Sequence, residues 1–533
     1  MKRNSFLLFL PFLFLSLTSC KKEYLDTSSP TAITDELAFS SYKSGLQVLN
    51  GVLAKYYYYG NGGQANGGIG VMGFHARLDM FGDDVINTMS SYYMSYYRWD
   101  AIADERKAFV GEAWDFYYDK IKVLNNLIGK LKLIEGATQE EKDLIEGETR
   151  ILRAYAYHQL VQMFGKRYTK GGANDALGVV LRDENSTLDP MPRSTVGECY
   201  NFIVKDLERA LILLKGKSIP TMYKNNWVGS TTAYAIAARV YQSMSEWEKV
   251  EECTKLSLDA AKVEGFGLAT SAQLLGGFND ATNPEWIWGY KIPKDQYVGY
   301  NSFFCAFGYA APSSHPQSFK LAVNRDIYDK MGPNDCRRNW WYCEDLGSVP
   351  PAGSEAYIAG NGGAEPTGAS LKFNVSSVNT DFPGDNLVMR LAVVYYMRAE
   401  ALARLGKDGE AQEVLNEIMV TRDPDYSAAA FTGDELIAEV LRNKRIDLWL
   451  EGERFFDMKR LGVVPDRIHS KNIEITKTLR PANYENALKR NRKENVRFIP
   501  TDAESPNWEF MIPLAEMEGA HGKVVQNPQH VQR

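Results

Sequence analysis

Two stretches of the chain repeat one helix–turn–helix scheme, and that scheme constrains the fold more than any other feature. In residues 231–261 small residues (Ala233, Ala237, Ala238) lie among aromatics (Tyr234, Tyr241), and Trp247 opens a second helix ending at Asp259-Ala260-Ala261. Residues 391–422 do the same: Tyr395, Tyr396, Ala399, Ala401 and Ala403, a turn at Leu405-Gly406-Lys407-Asp408-Gly409, then Glu410-Ala411 onward. Small residues let two helices approach closely and aromatics fill the remaining gaps, which is the packing logic of tetratricopeptide repeats, although the strict 34-residue consensus is not met. Ala411, Val414, Leu415 and Ile418 recur at helical spacing, as do Ile437, Val440 and Leu441. Thr195 with Glu198 forms a capping box. The predicted helices are about 36–58, 105–135, 139–164, 195–215, 231–245, 247–263, 388–405, 408–421, 434–450 and 453–460. The expected fold is mainly α, a tetratricopeptide-like helical scaffold with a few short strands and two long irregular inserts, about 60–104 and 264–387. Long irregular segments inside a compact body are usually functional, so function is expected there.

The N-terminus reads as an address. Lys2 and Arg3 precede a 12-residue apolar run, Phe6 to Leu17, too short to span a bilayer but suited to a signal peptide. Leu17-Thr18-Ser19-Cys20 is a lipobox, so residues 1–19 are expected to be removed and Cys20 to carry acyl chains. This reading is preferred to a plain secretory signal. Polar residues 20–35 suit a flexible tether, and 36–533 a single body.

With 61 Lys+Arg against 67 Asp+Glu the formal charge is −6, which argues against a nucleic-acid partner. The remaining cysteines (Cys199, Cys253, Cys305, Cys336, Cys343) are odd in number and contain no Cys-x-x-Cys pair, so neither a disulfide scaffold nor a zinc site is expected. Cys336 and Cys343 are candidates for a bond; two buried free thiols are the preferred reading. The six histidines include no His-x-x-x-His or His-Glu-x-x-His pattern, and the Gly-rich run at 60–73 lacks a following Lys-Ser/Thr. Neither a metal nor another cofactor is expected.

Aromatic residues are the candidate ligand contacts, because a sugar ring presents C–H groups to a π-face while nearby polar groups pair with its hydroxyls. Eight tyrosines fall in residues 56–97, where an even spread would give about 2.4. Tyr92, Tyr93, Tyr96, Tyr97 and Trp99 lie beside Asp79, Asp83, Asp84, Asn87 and Arg98; the alternatives are core packing or a partner interface. Tyr56–Tyr59 are read as packing. Trp340-Trp341 form a second patch, and adjacent residues of a strand point oppositely, so at least one indole is expected to be exposed or in a loop. Tyr297, Tyr300, Phe303, Phe304, Phe307 and Tyr309, with Asn301 nearby, form a third, or else a hydrophobic wall. Asp79, Asn87, Tyr96, Trp99, Tyr300, Tyr309, Trp340 and Trp341 are the leading glycan-binding candidates. Glu451, Glu453 and Asp457 with Arg454 could suggest paired hydrolytic carboxylates, but Arg454 and Lys459 offer partners and an ion-pair lattice bracing one helix is preferred. No catalytic residue is assigned.

Residues Arg445 to Gly462 resemble the C-terminal signature of the SusD/RagB family, Glu-Arg-Arg-Ile-Glu-Leu-x-Phe-Glu-Gly-x-Arg-Phe-Phe-Asp-Leu-x-Arg-x-Gly. Asn443, Asp447 and Leu450 depart from it. Thr149 to Tyr157, Pro192 to Val196 with Asp206-Leu207, Asn283 to Trp288, and Gln526-Asn527-Pro528 are similar to further family stretches, in order along the chain. The resemblance implies a non-enzymatic surface lipoprotein of Bacteroidetes-type bacteria. It would be anchored in the outer membrane and face the exterior, capturing oligosaccharides or other nutrients on aromatic platforms as the lid of a SusC-like TonB-dependent transporter. A lid or docking partner with non-glycan cargo such as a peptide is the alternative, and a tethered glycoside hydrolase a weaker one.

Overall fold

A computed structural model describes residues 39–57, 70–217, 224–309, 320–352, 365–375, 381–492 and 496–532. The expectations for the signal peptide, Cys20, the tether, the Gly-rich run to residue 69, Tyr58 and Tyr59 lie outside these residues, as does the Tyr300 side chain.

The scaffold is a succession of packed helices: Tyr42–Tyr57, Ala108–Lys130, Gln139–Phe164, Val196–Leu214, Ser230–Ser243, Trp247–Glu264, Leu391–Arg404, Asp408–Met419, Gly433–Asp447 and Arg454–Leu461. Each but the last packs on its chain neighbour, Arg454–Leu461 packs on helix Gly70–Asp79, and the pairing of Leu391–Arg404 with Trp247–Glu264 closes the scaffold across the second insert. Local chemistry explains the boundaries. Thr195 accepts from the Glu198 amide while the Glu198 side chain caps Thr195 in return, and Thr138 with Glu141 repeats the motif. Close approach is bought with small side chains. A Cβ on Gly147 would stand 2.7 Å from Leu214 of the partner helix, and Ala233, Ala237, Ala238, Ala399 and Ala401 are fully buried.

The inserts are built rather than loose. The first contains helix Gly70–Asp79, which periodicity missed because all ten residues are buried and no polar face alternates with an apolar one. Six strands follow the chain: β1 Val85–Ile86, β2 Trp286–Tyr290, β3 Ala322–Val323, β4 Trp341–Cys343, β5 Thr367–Ser370 and β6 Asn386–Arg390. An antiparallel sheet in the order β1-β3-β5-β4 joins the two inserts, with Val85 opposite Val323 and Trp341 opposite Ser370. β2 pairs with β6, Trp286 opposite Arg390, and closes the neck of the second insert where it leaves and re-enters the scaffold. A second hydrophobic core, distinct from that of the helices, gathers Met72, Phe303, Phe304, Phe307, Trp286, Trp340, Trp341 and Trp449. Cys336 and Cys343 are free thiols.

Candidate functional site

The signature segment turns out to be a buried charge lattice. Asp447 accepts from Arg390 Nη2 (2.9 Å), Arg422 Nε (2.8 Å) and the Tyr396 hydroxyl (2.9 Å). Glu285 meets Arg390 at 2.6 Å and Arg422 at 2.9 Å, and Glu451 meets Lys372 at 2.6 Å. Burial pushes Asp447 upward, but Arg422, Arg390 and Arg337 outweigh it and hold the carboxyl far below its usual range. Asp457 and Glu453 are likewise held low against burial: Lys444 and Arg460 act on Asp457, Arg239 and Lys444 on Glu453. The lattice is as expected, but its partners are not. Arg454 reaches Asp83 (2.7 Å), and Lys459 donates to the carbonyls of Gln162, Gly165 and Trp508. Carboxylates clamped ionised by buried cations are ill suited to donate a proton to a leaving group. The other family-like stretches are also braces. Arg153 pairs with Asp206 at 2.7 Å, and Asn527 donates to the carbonyls of Phe164 and Phe510, both at 2.8 Å.

The same arginines bolt the first insert down and correct several site expectations. Asp79 is buried and accepts from the amides of Gly452 (3.0 Å) and Arg454 (2.9 Å); it fixes the signature turn. Asp84 pairs with Arg445. Arg467 lies 3.8 Å over the Tyr97 ring and donates to backbone carbonyls of residues 80–82. Trp99 is wholly buried: its indole donates to the Phe81 carbonyl (3.0 Å) and meets Trp508 edge-on, so it offers no open platform. Asn87 is also wholly buried, and neither polar atom of its side-chain amide has a partner among the described residues. Trp340 lies outside the strand, as the strand rule allows, but neither indole of the Trp340–Trp341 patch is exposed. Trp340 closes a 3₁₀ turn and donates to Leu274 O (3.0 Å), Trp341 opens β4 against Trp449, and both are buried. Exposure does not follow from the strand rule here, because the pair straddles an element boundary and both surroundings are core.

What remains accessible is the edge of one aromatic wall. Tyr93 stacks on Phe307 (centroids 5.1 Å, planes 18° apart), Phe307 on Phe303 (4.8 Å), and Phe303 meets Phe373 edge-on (4.9 Å). The first and third sequence clusters are therefore a single structure joined across more than 200 residues of chain. Its rim is Tyr92, 64% exposed and edge-on to Tyr93 at 5.9 Å. Tyr96 is half-buried, its hydroxyl accepting from Arg77 (3.3 Å). Tyr309 is half-buried and accepts from Asn374 (2.9 Å). Beside helix Phe303–Phe307 a cleft is lined by Tyr57, Gln296, Tyr297, Phe304, Phe382 and Asn386. Tyr57 donates to Gln296 Oε1 (3.0 Å) and packs on Tyr290. Gln296 and Asn386 carried no sequence signal, since they meet Tyr57 only through the fold. Among the described residues no group of three metal-ligating side chains occurs, and no helix is long and apolar enough to cross a membrane.

Two family models match: residues 342–530 that of the SusD family, and residues 23–242 one described as starch-binding associating with outer membrane. The chain is 24% identical to SusD-like protein P38 of Formosa agariphila over 383 residues, 65% of this chain and 71% of the relative. It superposes with a TM-score of 0.68 on a SusD-like carbohydrate binding protein from Bacteroides vulgatus (23% identity, covering 80% of this chain and 85% of that one). With a SusD superfamily protein from Bacteroides thetaiotaomicron the TM-score is 0.70 (20% identity, 92% of this chain and 100% of that one). The two family models, over residues 23–242 and 342–530, and the superposition along most of the chain identify it as SusD-like.

Proposed function

We propose that the protein is a non-catalytic glycan-binding lipoprotein of the outer membrane, anchored through Cys20 and facing the exterior. It captures oligosaccharides and passes them to a SusC-like TonB-dependent transporter. The likeness to the SusD family, a matching family model described as starch-binding, and a neighbour titled a carbohydrate binding protein support the class of ligand. The observation that carries the reading is the exposed Tyr92 ring at the rim of a rigid aromatic wall, with Tyr96 and Tyr309 half-buried on the same two inserts and the Tyr57–Tyr297 cleft alongside. A tyrosine supported edge-on by a second buried ring is held ready for stacking, so little ordering entropy is lost on binding.

The test is affinity electrophoresis of the soluble chain from residue 21 against a polysaccharide panel, followed by calorimetry. The expected result is retardation by one polymer class without release of reducing ends. Base–aromatic stacking sets the scale at ~1–3 kcal/mol per ring, so Tyr92→Ala should weaken binding by about 5- to 150-fold. Full affinity in Tyr92→Ala, Tyr309→Ala and Tyr297→Ala alike would defeat the site assignment, and release of reducing ends would defeat the non-catalytic reading.

A further inference from the structure

The chain is acidic overall, yet residues 471–492 hold six Lys or Arg against two Glu. They form helices Lys471–Leu479 and Pro481–Asn491, and the second docks on the loop that leads into Tyr92. Asn491 Nδ2 donates to Asn87 O (3.1 Å), Arg490 Nη1 donates to Thr88 O (2.7 Å), and Asn483 Nδ2 lies 3.6 Å from Met89 Sδ. Some of these cations are neutralised within the fold: Lys471 pairs with Asp329, and Arg480 with Glu344 at 2.6 Å. Four other cations differ. Among the described residues Arg98, Arg490, Arg492 and Arg497 make no ion pair with any carboxylate. Arg98 Nε is shielded from solvent and has no hydrogen-bond partner among the described residues. Burial, and then the charge of Arg98, hold the Arg490 guanidinium below its ordinary value against the pull of Glu365. Asp100, a half-buried carboxylate, faces Arg98, Lys107 and Arg497 together. Arg490 grips Thr88 four residues before Tyr92 and Arg98 follows the short helix after it, so two mutually repelling guanidinium groups flank the segment that carries this exposed ring.

Such an arrangement is unfavourable in the free protein and becomes favourable when an anion enters, because planar guanidinium groups bind carboxylate and sulfate oxygens in bidentate fashion. We infer that this ridge is an anionic subsite continuous with Tyr92, and that the cargo is a polyanionic glycan bearing sulfate esters or uronate carboxylates. The inference rests on the glycan-capture reading and names its substrate class.

The test uses the soluble chain from residue 21 with matched pairs of polysaccharides, sulfated against desulfated and uronate against carboxyl-reduced, at 50 and 300 mM NaCl. The anionic member should bind, the neutral member should bind at least tenfold more weakly, and affinity should fall at least fivefold between the two salt concentrations. Arg492 and Arg497 are exposed, so the double variant R492A/R497A should melt like the parent while losing about tenfold in affinity for the anionic polymer alone. Equal binding of both members without salt dependence would overturn the anionic assignment and leave glycan capture standing. An unchanged affinity in the double variant would overturn the ridge. Binding of no polysaccharide would sink the capture reading itself. Retention on phosphatidylglycerol vesicles, lost in the double variant and without polysaccharide binding, would reassign the ridge to a membrane surface.

Discussion

Asp447→Asn tests whether the signature segment is a structural clamp. The surrounding cluster holds Arg337, Arg390, Arg422 and Lys372 against Glu285, Asp335, Asp447 and Glu451, so it is neutral as built. The Arg337, Arg390, Arg422, Glu285 and Asp447 side chains have no solvent exposure. Replacing the carboxylate by an amide removes one negative charge and turns one acceptor into a donor facing a guanidinium. At least one charge-assisted bond, worth about 1.5–3 kcal/mol, disappears. Three arginines are then left against fewer buried negative charges; breaking a buried pair from one side costs about 3–5 kcal/mol in all. For a chain of this length the unfolding entropy is roughly 1 kcal/mol/K, so the expected fall in Tm is about 3–5 °C. Urea unfolding followed by tryptophan fluorescence reads the change, since Trp286, Trp340, Trp341 and Trp449 lie in the adjoining core. A surface ion pair would lose less than about 1 kcal/mol, and that loss would shrink in 0.5 M NaCl. Either behaviour in Asp447→Asn would refute the clamp.

Three further outcomes follow from the same geometry. Burial pushes the Glu365 carboxyl up to about 7 despite bonds from the Thr88 and Met89 amides. The folded state therefore holds this proton longer than the unfolded chain, and stability falls as pH rises from about 4.5 to about 7, by roughly 3 kcal/mol for this group; Glu365→Gln should flatten that part of the stability–pH curve, and an identical slope in both proteins would contradict it. Gly452 adopts φ 85° with its missing Cβ position 2.7 Å from His75 Cβ, so Gly452→Ala should destabilise by about 2–3 kcal/mol in the same urea assay, and a neutral effect would show that the turn can relax. Glu453→Gln leaves Arg239 and one side of Lys444 unpaired, so it should lower stability by about 1–3 kcal/mol and release no reducing ends from glycans before or after the change; activity lost with Glu453 would revive hydrolysis.

The helical half of the fold was legible because it is local. Small-residue spacing, one capping box and the 3.6-residue period sit within a few residues of what they specify, and helix Gln139–Phe164 lies where the pattern placed it. The inserts were opaque for the opposite reason. Phe303 and Phe307 meet Tyr93 across more than 200 residues, and Arg467 holds residues 80–82 across more than 380. No window on the chain contains both partners. Aromatic density also misled, because it measures supply and not exposure. Trp99, Trp340 and Trp341 are core, while Tyr92, in the same cluster as Trp99, reaches solvent. The ion-pair lattice was recognised, but helix spacing suggested partners within the signature, whereas Glu453 turns to Arg239 and Arg454 to Asp83.

A binding surface made from irregular segments needs rigidity from elsewhere, and the charge lattice supplies it. Glu285 sits at the start of the second insert, Arg390 at its end, and Asp447 in the scaffold helix that precedes the signature turn, so the trio closes the neck from both sides. Asp79 and Asp83, at the base of the first insert, are tied to the same turn through Gly452 and Arg454. The antiparallel sheet β1-β3-β5-β4 then couples the two inserts. Tyr92 consequently stands on Tyr93 and Phe307, whose positions are fixed by both inserts at once. A ligand arriving there meets a preformed edge, and its affinity is set by contacts at the rim and not by the cost of ordering loops. On the proposed reading the choice of cargo falls to what flanks the rim, and in this chain the flank is the segment ending at Arg98 and the 481–491 helix that grips Thr88.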